Sequence, residues 1–371
     1  MIKIIGDVIL DVWIKGNTNR YSPEAPVKIL DQESNTSNLG GAANVACNLK
    51  KLHKNIKIYG SIGEDRSGKI IKSLLNKEKI QFVLKNNLNI TTTKTRIAKL
   101  NGDHLLRIDK EEYKEDKKLV KQFIKELYID DVVLIIDYNK GIINKNLIKK
   151  IQKKTTNIFV DPKNKPEIYK GVFLIKPNMK RLKNWIGSFD KKKCFNLLKK
   201  NKWRWLIVTD GGNAVHLFNE KKFYKKIYVN SNKVKDVSGA GDTFLSTLVY
   251  FHLKGLSIPI ACEMAAIAAT KVVEKSGVKT LEKKELLFNS VFTNGVFDIL
   301  HKGHKELFNF CKILGKKLVV GINSDLSVKK IKGKDRPYNL QKKRINNLKK
   351  LKIIDRIIPF KNKTPIRIIK K

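Results

Sequence analysis

Short apolar runs alternate, through most of the chain, with stretches whose apolar residues recur at helical spacing. The apolar runs predict buried strands at residues 2–10, 56–63, 132–138, 158–163, 172–178 and 205–212. The helical spacing predicts helices that include 39–52, 115–128, 144–154, 236–254 and 258–275. Residues 11–38 are polar and contain two prolines, which indicates loops and short strands. Strands that alternate with helices are typical of an α/β fold with a doubly wound, mostly parallel sheet.

The same pattern starts again near residues 285–292. A further strand, a turn and a helix follow, and residues 316–325 predict a second strand and loop. A chain of 371 residues is long enough for about two domains. We therefore expect one domain over residues 1–287 and a second over 288–371, with no obvious linker between them.

Composition favours a folded protein and leaves the meaning of its charge open. Hydrophobic residues make up 42% of the chain, which argues against disorder. Its 78 Lys and Arg against 34 Asp and Glu give a net charge of +44. Such a charge is typical of nucleic-acid binders, but here Lys, Asn and Ile are all abundant, as an A/T-rich genome would favour. Since the basic runs are short and spread along the chain, we expect no specific nucleic-acid surface.

The cysteines and the N-terminus bear on the compartment. The four cysteines are far apart and show no CxxC spacing, which indicates free thiols in a reducing cytoplasm. The first residues, MIKIIGDVILDVW, have charges within the apolar stretch and lack the features of a signal peptide. No apolar run approaches the length of a membrane span. These features predict a soluble, cytoplasmic protein.

A glycine-rich turn at the start of a predicted helix is the first candidate for chemistry. In DVSGAGDTF (236–244), the small residues 239–241 would allow a ligand to approach the backbone. The free amides and partial positive charge of a helix N-terminus suit a phosphate. Asp242 would face that phosphate, where its carboxylate could accept the proton of an attacking hydroxyl. The alternative is an ordinary capping turn that Asp242 stabilises.

These segments resemble the ribokinase-like (PfkB) carbohydrate kinases. DVSGAGDTF looks like the catalytic segment of that family and GGAANVACNL (40–49) like its sugar-binding segment. GDVILD (6–11), KPN (176–178) and VTDGG (208–212) occur in the expected order. The resemblance covers about residues 1–285 and implies a ribokinase-like sheet with a small β lid.

The resemblance also implies roles for individual residues. Asp242 would be the catalytic base, and Asp236 would help position a monovalent cation or the loop. The anion hole and the ATP site would be formed by Gly239, Ala240, Gly241, Asn178, Met179, Lys180 and Arg181. The sugar would contact Asp11, Gly40, Gly41, Asn44 and Lys163. ATP and Mg²⁺ would be used without a tightly bound cofactor, and the kinase would form a homodimer through its lid.

One residue departs from the pattern of the PfkB family. The family usually carries Asn-x-x-Glu after the strand that ends in KPN, and the Glu helps to arrange magnesium. In this sequence the fourth residue is Arg181, which can pair with phosphates but cannot bind a cation. We expect either that magnesium is held by ATP and other groups or that the kinase is weakened.

Two histidines mark the second domain. FTNGVFDILHKGH (292–304) places His301 and His304 on one face of a helix. They could be a zinc pair that lacks an evident third ligand, or two ordinary core or surface histidines. They could also bind nucleotide phosphates beside the amides of Thr293, Asn294 and Gly295.

This segment, with VGINSD (320–325) and KGKDRP (332–337), resembles the HxGH motif region of cytidylyltransferase-like nucleotidyltransferases. The order of the two domains is that of the bifunctional heptose 7-phosphate kinase/heptose 1-phosphate adenylyltransferase family. It implies phosphorylation of D-glycero-D-manno-heptose 7-phosphate at the anomeric hydroxyl. It also implies adenylyl transfer to heptose 1-phosphate, which gives ADP-heptose for the lipopolysaccharide core.

The second domain is shorter than is usual for a Rossmann-like nucleotidyltransferase, and later family motifs are absent from the sequence. We therefore expect a truncated domain whose adenylyl transfer is weak or lost. Two alternatives stay open: a kinase for another sugar with an inert tail, and a non-catalytic, lysine-rich protein that binds polyanions.

Overall fold

The computed structural model describes residues 1–229, 237–274, 280–362 and 364–369. The chain divides into two compact units, Met1–Leu281 and Glu282–Lys371. The elements follow one another in the order β1 (Ile2–Gly6), β2 (Val8–Tyr21), β3 (Lys28–Gly41), α1 (Ala42–Leu52), β4 (Ile56–Gly63), α2 (Arg66–Lys77), β5 (Gln81–Leu88), β6 (Thr93–Lys99), β7 (His104–Lys110), α3 (Lys117–Lys125), β8 (Val132–Ile136), α4 (Lys145–Gln152), β9 (Ile158–Asp161), a 3₁₀ turn (Pro166–Tyr169), β10 (Leu174–Ile175), α5 (Met179–Ile186), α6 (Lys191–Lys200), β11 (Trp205–Asp210), β12 (Ala214–Asn219), β13 (Tyr224–Tyr228), α7 (Ala240–Leu253), α8 (Ile258–Val273), α9 (Lys283–Leu286), β14 (Phe288–Gly295), α10 (Lys302–Leu314), β15 (Gly315–Asn323), α11 (Asp325–Lys332), α12 (Gln341–Lys349), β16 (Arg356–Phe360) and α13 (Ile366–Ile369).

The first unit is built on a large, mostly parallel sheet. Across the described residues its nine strands run in the order β13-β12-β11-β10-β9-β8-β1-β4-β5, and only the β11–β12 and β12–β13 pairs are antiparallel. Every residue of β1 and β8 is buried. Continuous apolar runs of this kind are expected where helices cover both faces of a parallel sheet. The predicted α/β fold with a mostly parallel sheet is confirmed.

A second sheet forms the β lid of the first unit, with the strand order β3-β2-β6-β7 among the described strands. The prediction of one strand over residues 2–10 is wrong, because the apolar run divides at Asp7 into β1 of the large sheet and β2 of the lid. Both β2 and β3 are 14 residues long, where short strands and loops were predicted. Beyond Leu10, the mostly polar and half-exposed residues of these two strands carry no long apolar run, so their full length appears only in the strand pairing.

Helix α7 is buried along most of its length and packs against α1 and α8. Ten consecutive residues, 242–251, are buried, as is typical of a helix inside a domain rather than on its surface. This burial matters for the site, because it fixes the first turn of α7 against the first turn of α1.

The second unit is small and has its own core. A parallel sheet in the order β14-β15-β16 packs against α10 and α12. Its buried cluster consists of Phe297, Phe308, Cys311, Leu318, Val320, Ile322 and Leu348. The guanidinium of Arg344, fully buried, links three segments of this unit: it donates to the carbonyls of Asn339 and Val296 and to Asp325 Oδ1.

Two predictions about the chain as a whole can be compared with the described residues. None of the described helices combines the length and the apolar character needed to cross a bilayer. The four cysteines are buried and free.

Candidate active site

The N-terminal turns of α1 and α7 meet and bring together two segments that are far apart in the sequence. Gly41 precedes α1, and Gly239, in the left-handed conformation (φ 79°), precedes α7. In the first turns of these helices, Asn44 Nδ2 donates a hydrogen bond of 2.6 Å to Asp242 Oδ2. The residues predicted as sugar contact and as base, 198 positions apart, are therefore direct neighbours.

A buried hydrogen-bond network holds this pair in place. Asn48 Nδ2 donates to the carbonyl of Asn44 over 2.9 Å. The hydroxyl of Thr243 donates to Asn48 Oδ1 over 3.0 Å. The first of these hydrogen bonds lies within α1, and the second connects α1 with α7. The carboxylate of Asp242 therefore has a fixed position relative to the first turn of α1.

Asp242 lies at the wall of a cavity of about 500 Å³. Gly239, Ala240 and Gly241 line the cavity beside it. The apolar part of the wall comes from β12, the residue after β13, α7 and α8: Val215, Val229, Phe244, Ala266, Ala269 and Val273. A cavity with amides and charges at one end and aliphatic side chains at the other suits a nucleotide, whose phosphates are polar and whose base is flat and largely apolar.

The charged end of the cavity contains two residues to which the sequence analysis assigned no role, Lys176 and Asp161. Lys176 is only 3% exposed, and its Nζ lies 2.8 Å from Asp161 Oδ2. A Cβ placed on Gly241 would lie 3.6 Å from this ammonium, so Lys176 borders the glycine turn. Their position in the sequence could have identified them as candidates, because each lies near the end of a predicted strand, and ligands of parallel sheets bind at the carboxyl ends of the strands.

The four residues after the KPN strand separate in the structure. Asn178 caps α5 by accepting the amide of Arg181 over 2.8 Å, and both residues line the cavity. Arg181 Nη1 also lies 3.6 Å from Asp161 Oδ1. Met179 instead packs against the hydrophobic core, and Lys180 is exposed and outside the cavity wall. The helical turn directs these two side chains away from the predicted phosphate site.

Burial sets the ionisation of Asp242. The pKa of its carboxyl is raised to about 7, chiefly because burial disfavours the charged form and then because the carboxylate of Asp161 is near. The hydrogen bond from Asn44 and the charge of Lys176 oppose the increase. A carboxyl with this pKa can accept a proton near neutral pH.

The other predicted sugar residues lie where the lid joins the large sheet. Asp11 forms an ion pair of 2.6 Å with Arg96. A Cβ on Gly40 would lie 2.4 Å from Asp11 Oδ2, so Gly40 leaves room for that carboxylate. A Cβ on Gly41 would lie 2.4 Å from the carbonyl oxygen of Asp7, and its φ of 57° also favours glycine.

Tyr138, Lys94 and Lys163 form a basic cluster near Asp242. The ammonium of Lys94 lies 4.7 Å from the centroid of the Tyr138 ring, and that of Lys163 lies 5.6 Å from it. The carboxylate of Asp242 raises the pKa of Tyr138 more than any other group, which reflects their proximity. Within the part of the chain that is described, neither ammonium has a carboxylate within 4.0 Å. Of these three residues, only Lys163 was predicted from the sequence as part of the site.

Asp236, predicted to help position a cation or the loop, lies outside the described residues.

In the second unit, the two histidines line a cavity of about 390 Å³ at the start of α10. Their rings stack with centroids 3.8 Å apart, and they cap the helix reciprocally. Burial and the neighbouring His301 lower the pKa of His304. Asp298, Lys332 and Arg336 share the cavity. Across the described residues, no group of three or more side chains is arranged to hold a metal ion.

The three residues predicted to offer amides to the phosphates of the second unit lie elsewhere. Thr293, Asn294 and Gly295 end β14 and are paired with β15. The cavity wall begins at the next residue, Val296. Strand pairing, which the local motif does not reveal, holds these three residues in the sheet, so that the cavity wall begins only after Gly295.

The two units match two families of known proteins. Residues 1–285 match the pfkB family of carbohydrate kinases, and residues 292–371 match the cytidylyltransferase-like family. The chain therefore belongs to the pfkB family of carbohydrate kinases and carries a cytidylyltransferase-like unit, the domain pair of a bifunctional sugar kinase and nucleotidyltransferase. Both resemblances found in the sequence are confirmed.

Among curated proteins, the chain is similar to several called bifunctional protein HldE. The one from a Nitratiruptor species is 35% identical over all of this chain and 89% of its own length. Those from Campylobacter fetus and Coxiella burnetii are 33% and 31% identical, over 100% and 99% of this chain and 89% and 86% of their own lengths.

Among solved structures, the first unit resembles sugar kinases. Phosphofructokinase-2 from Escherichia coli, in complex with substrates and products, gives a TM-score of 0.66 at 16% identity, over 77% of this chain and 96% of its own. Ribokinase from Giardia lamblia gives a TM-score of 0.62 at 16% identity, over 77% of this chain and 98% of its own. At this identity the likeness concerns the fold alone.

Proposed function

We propose that the first unit transfers the γ-phosphoryl group of ATP to the anomeric hydroxyl of D-glycero-D-manno-heptose 7-phosphate, which gives the 1,7-bisphosphate. The observation that carries this proposal is the Asn44–Asp242 contact beside the turn 239–241. The domain pair shared with the HldE proteins supports the choice of a sugar kinase whose product, once a separate phosphatase has removed its 7-phosphate, would be the substrate of the nucleotidyltransferase.

In this reaction Asp242 is the base. Its carboxylate accepts the proton of the anomeric hydroxyl as the hydroxyl oxygen forms a bond to the γ-phosphorus. The bond from that phosphorus to the β,γ-bridging oxygen breaks, and ADP leaves with the electron pair. The hydrogen bond from Asn44 orients the carboxylate, and the pKa of about 7 keeps a large fraction of it charged at neutral pH.

The phosphates of ATP would lie among the amides of the glycine turn, Lys176 and Arg181. Positive groups fixed in advance around a transferring phosphoryl stabilise the charge that it spreads over its oxygens. A nucleotide-bound Mg²⁺ also fits here, since Asp161 reaches the cavity and magnesium is usually held by one or two carboxylates together with phosphates. When bound, the ion would add positive charge beside the same oxygens.

The basic cluster supports a sugar phosphate, rather than a free sugar, as substrate. Lys94 and Lys163 bring two ammonium groups to the ring of Tyr138, on the same side as Arg96 and Asp11. Two cations without a carboxylate at ion-pair distance suit a phosphate dianion. We propose that this cluster binds the 7-phosphate while Asp11 accepts hydrogen bonds from sugar hydroxyls.

The test is ATP turnover by the full chain with heptose 7-phosphate, unphosphorylated heptose, fructose 6-phosphate and ribose. We expect turnover with heptose 7-phosphate and a loss of about 10²- to 10⁴-fold in Asp242→Asn. Asp190→Asn, which changes the N-cap of α6 outside the cavity wall, serves as the matched control and should keep full turnover. Faster turnover of another sugar would contradict the heptose assignment, and turnover retained by Asp242→Asn would contradict the mechanism.

For the second unit we propose adenylyl transfer from ATP to heptose 1-phosphate, which gives ADP-heptose and pyrophosphate. The stacked histidines, with Lys332 and Arg336 in the same cavity, could stabilise the phosphates. ADP-heptose formation should disappear in His304→Ala while the kinase rate stays unchanged. Equal formation by the variant would contradict this role.

We also propose that the kinase forms a homodimer through its lid. Every residue of the edge strand β7 is exposed, including Leu106 and Ile108. Long exposed edge strands with apolar residues invite pairing with another chain. Light scattering should give twice the monomer mass for the full chain and the monomer mass for Leu106→Lys; a monomer in both would contradict the proposal.

A further inference from the structure

A buried carboxyl with no part in phosphoryl transfer supports one wall of the candidate sugar-phosphate site. Asp7 stands between β1 and β2 and is 2% exposed. Its Oδ2 accepts the amides of Tyr138 over 2.7 Å and of Lys140 over 3.2 Å. Its Oδ1 is buried and has no hydrogen-bond partner among the described residues. Asp7 thus holds the loop that follows β8 by two backbone bonds.

A second buried carboxyl, Asp137, holds the same loop and the loop that follows β9. It accepts the amide of Asn139 over 2.6 Å and the side-chain amide of Asn164 over 3.1 Å. The hydroxyl of Tyr169 donates to it and in turn accepts the amide of Asn164 over 3.0 Å. The same hydroxyl accepts the amide of Lys163 over 3.3 Å.

These two loops carry the side chains of the basic cluster. Tyr138 belongs to the loop held by Asp7, and Lys163 to the loop held through Asp137 and Tyr169. Between them, Asn139 adopts a left-handed backbone with φ 62°, which is unfavourable for most residues without fixed partners. The carboxyls therefore determine where the Tyr138 ring and the Lys163 ammonium stand relative to each other.

We propose that Asp7 and Asp137 are positioning residues for the sugar-phosphate site, and that the affinity for the sugar phosphate falls when Asp7 loses its proton. The inference rests on the proposed kinase function and adds a dependence on pH to the same site. Asp7 lies outside the wall of the cavity that Asp242 lines, whereas Asp137 is part of that wall, and we assign both carboxyls a positioning role and no chemical step.

The surroundings of Asp7 favour its neutral form. Burial, followed by the charge of Asp137, raises the pKa of Asp7 to about 7, while the two amides and the charge of Lys140 oppose this. The ammonium of Lys140 is already paired with Glu111. Lys114 and Ser61 line the small cavity beside Asp7, and Ser61 donates to Asp116.

The direction of the effect follows from linkage. A loop arrangement that exposes Asp7 to water would return its pKa towards 3.8, so the closed arrangement binds more protons than the open one. The closed arrangement is the one described above, in which Asp7 is buried. As the pH rises towards 7, this arrangement loses stability relative to the open one, and above 7 the loss is complete. The sugar phosphate, which needs the closed loops, should bind more weakly at high pH.

The experiment measures the binding of heptose 7-phosphate by calorimetry at about pH 6 and about pH 8.5. Asp242→Asn is the common background, because it removes the titration of Asp242 from the signal. For each protein we take the ratio of the dissociation constant at the higher pH to that at the lower pH. We expect this ratio to be at least about threefold larger for Asp242→Asn than for Asp7→Asn/Asp242→Asn. The ligand phosphate, with a pKa near 6, titrates equally in both proteins and cancels in the comparison.

The matched control is Asp65→Asn in the same background. Asp65 also accepts two backbone amides, those of Gly68 and Thr91, but it lies away from both loops. The control should keep the pH ratio of the background protein. A purely structural Asp7 would change the melting temperature and leave the ratio as it was.

The possible results of this experiment distinguish a failure of the inference from a failure of the proposed function. A pH ratio that is the same with and without Asp7→Asn overturns this inference and leaves the kinase function intact. No binding of heptose 7-phosphate at either pH contradicts the proposed function and the inference together. Should Asp7→Asn fail to fold, Asp137→Asn removes the neighbouring charge, and the fall in affinity must then move to lower pH for the inference to hold.

Discussion

At the scale of single residues, the ionisation of Asp242 controls the proposed phosphoryl transfer. Burial and the charge of Asp161 raise its pKa to about 7, and only the charged form can accept the proton of the sugar hydroxyl. With both substrates saturating, kcat should rise about tenfold per pH unit below pH 7 and level off above it. A pH series of initial rates measures this, and a kcat that stays constant from about pH 5.5 to 8.5 would contradict the assignment.

Arg181 is a second residue whose charge affects the chemistry. It shares the carboxylate of Asp161 with Lys176 and lines the cavity. Arg181→Glu removes a competing cation and adds a carboxylate, so we expect a higher rate or a lower magnesium requirement. Rates over a magnesium titration measure both quantities.

Arg181→Gln is the matched variant for this prediction, since it removes the cation without supplying a carboxylate. It should show less of the gain than Arg181→Glu. If Arg181→Glu changes neither the rate nor the magnesium requirement, residue 181 has no part in the handling of the metal.

At the scale of elements, the site depends on how α1 and α7 begin. Gly41 has a positive φ, and a Cβ there would lie 2.4 Å from a backbone oxygen of Asp7. We expect Gly41→Ala to destabilise the first unit by about 3 kcal/mol or more and to lower kcat by moving Asn44. Urea unfolding measures the first effect, and the kinase assay measures the second.

Gly187→Ala is the control for this prediction. Gly187 also has a positive φ, of 80°, but a Cβ there would meet nothing within 4 Å. Its replacement should cost about 1 kcal/mol and leave kcat unchanged. Equal losses at Gly41 and Gly187 would show that the contact with Asp7 is unimportant.

The elements also show where sequence patterns were sufficient and where they were not. The run 56–63 predicted β4 to the residue, because a strand buried on both faces is apolar along most of its length, with Lys57 and Ser61 as the polar exceptions. The run 2–10 did not reveal its division at Asp7, because both halves are apolar although they join different sheets. The lid strands were not predicted at their full length, because an exposed face permits polar residues.

At the scale of the whole molecule, the two units have separate cores, so their stabilities should be separable. Arg344→Ala would leave Asp325 without its guanidinium and two carbonyls without a donor. Arg344 is fully buried, but the side chain of Asp325 is 30% exposed, so the loss of the guanidinium should cost about 2 kcal/mol. We expect faster hydrogen exchange in Glu282–Lys371 and an unchanged kinase rate.

The control for this prediction is Arg336→Ala, in the same unit. Arg336 is partly exposed and lies 3.6 Å from Asp298, a type of pair that contributes about 1 kcal/mol or less. Exchange in the second unit should therefore change little. Faster exchange in the first unit of Arg344→Ala would show that the two cores are not independent.

The candidate site was predictable to the extent that it is local. The proposed base and the proposed anion hole follow from a few adjacent residues at a helix start, and the KPN strand end pointed to Asn178 and Arg181, which line the same cavity. Lys176, Asp161 and Lys94 were not singled out, because lysine is frequent in this chain and only the three-dimensional surroundings of these residues separate them from the rest. Met179 and Lys180 were included because the motif does not state which way a helical side chain points.

The sequence by itself determined the parallel α/β architecture, and it also predicted the restart near residues 285–292 and a phosphate-binding turn at 239–241 beside Asp242, because each depends on residues close together along the chain. Only the tertiary structure decided that Asn44 meets Asp242, that Lys176 and Arg181 share Asp161, and that Asp7 supports the loop of Tyr138. The physical reason is that strand order and register, which arise from packing the whole core at once, bring distant residues together, and no local pattern encodes them.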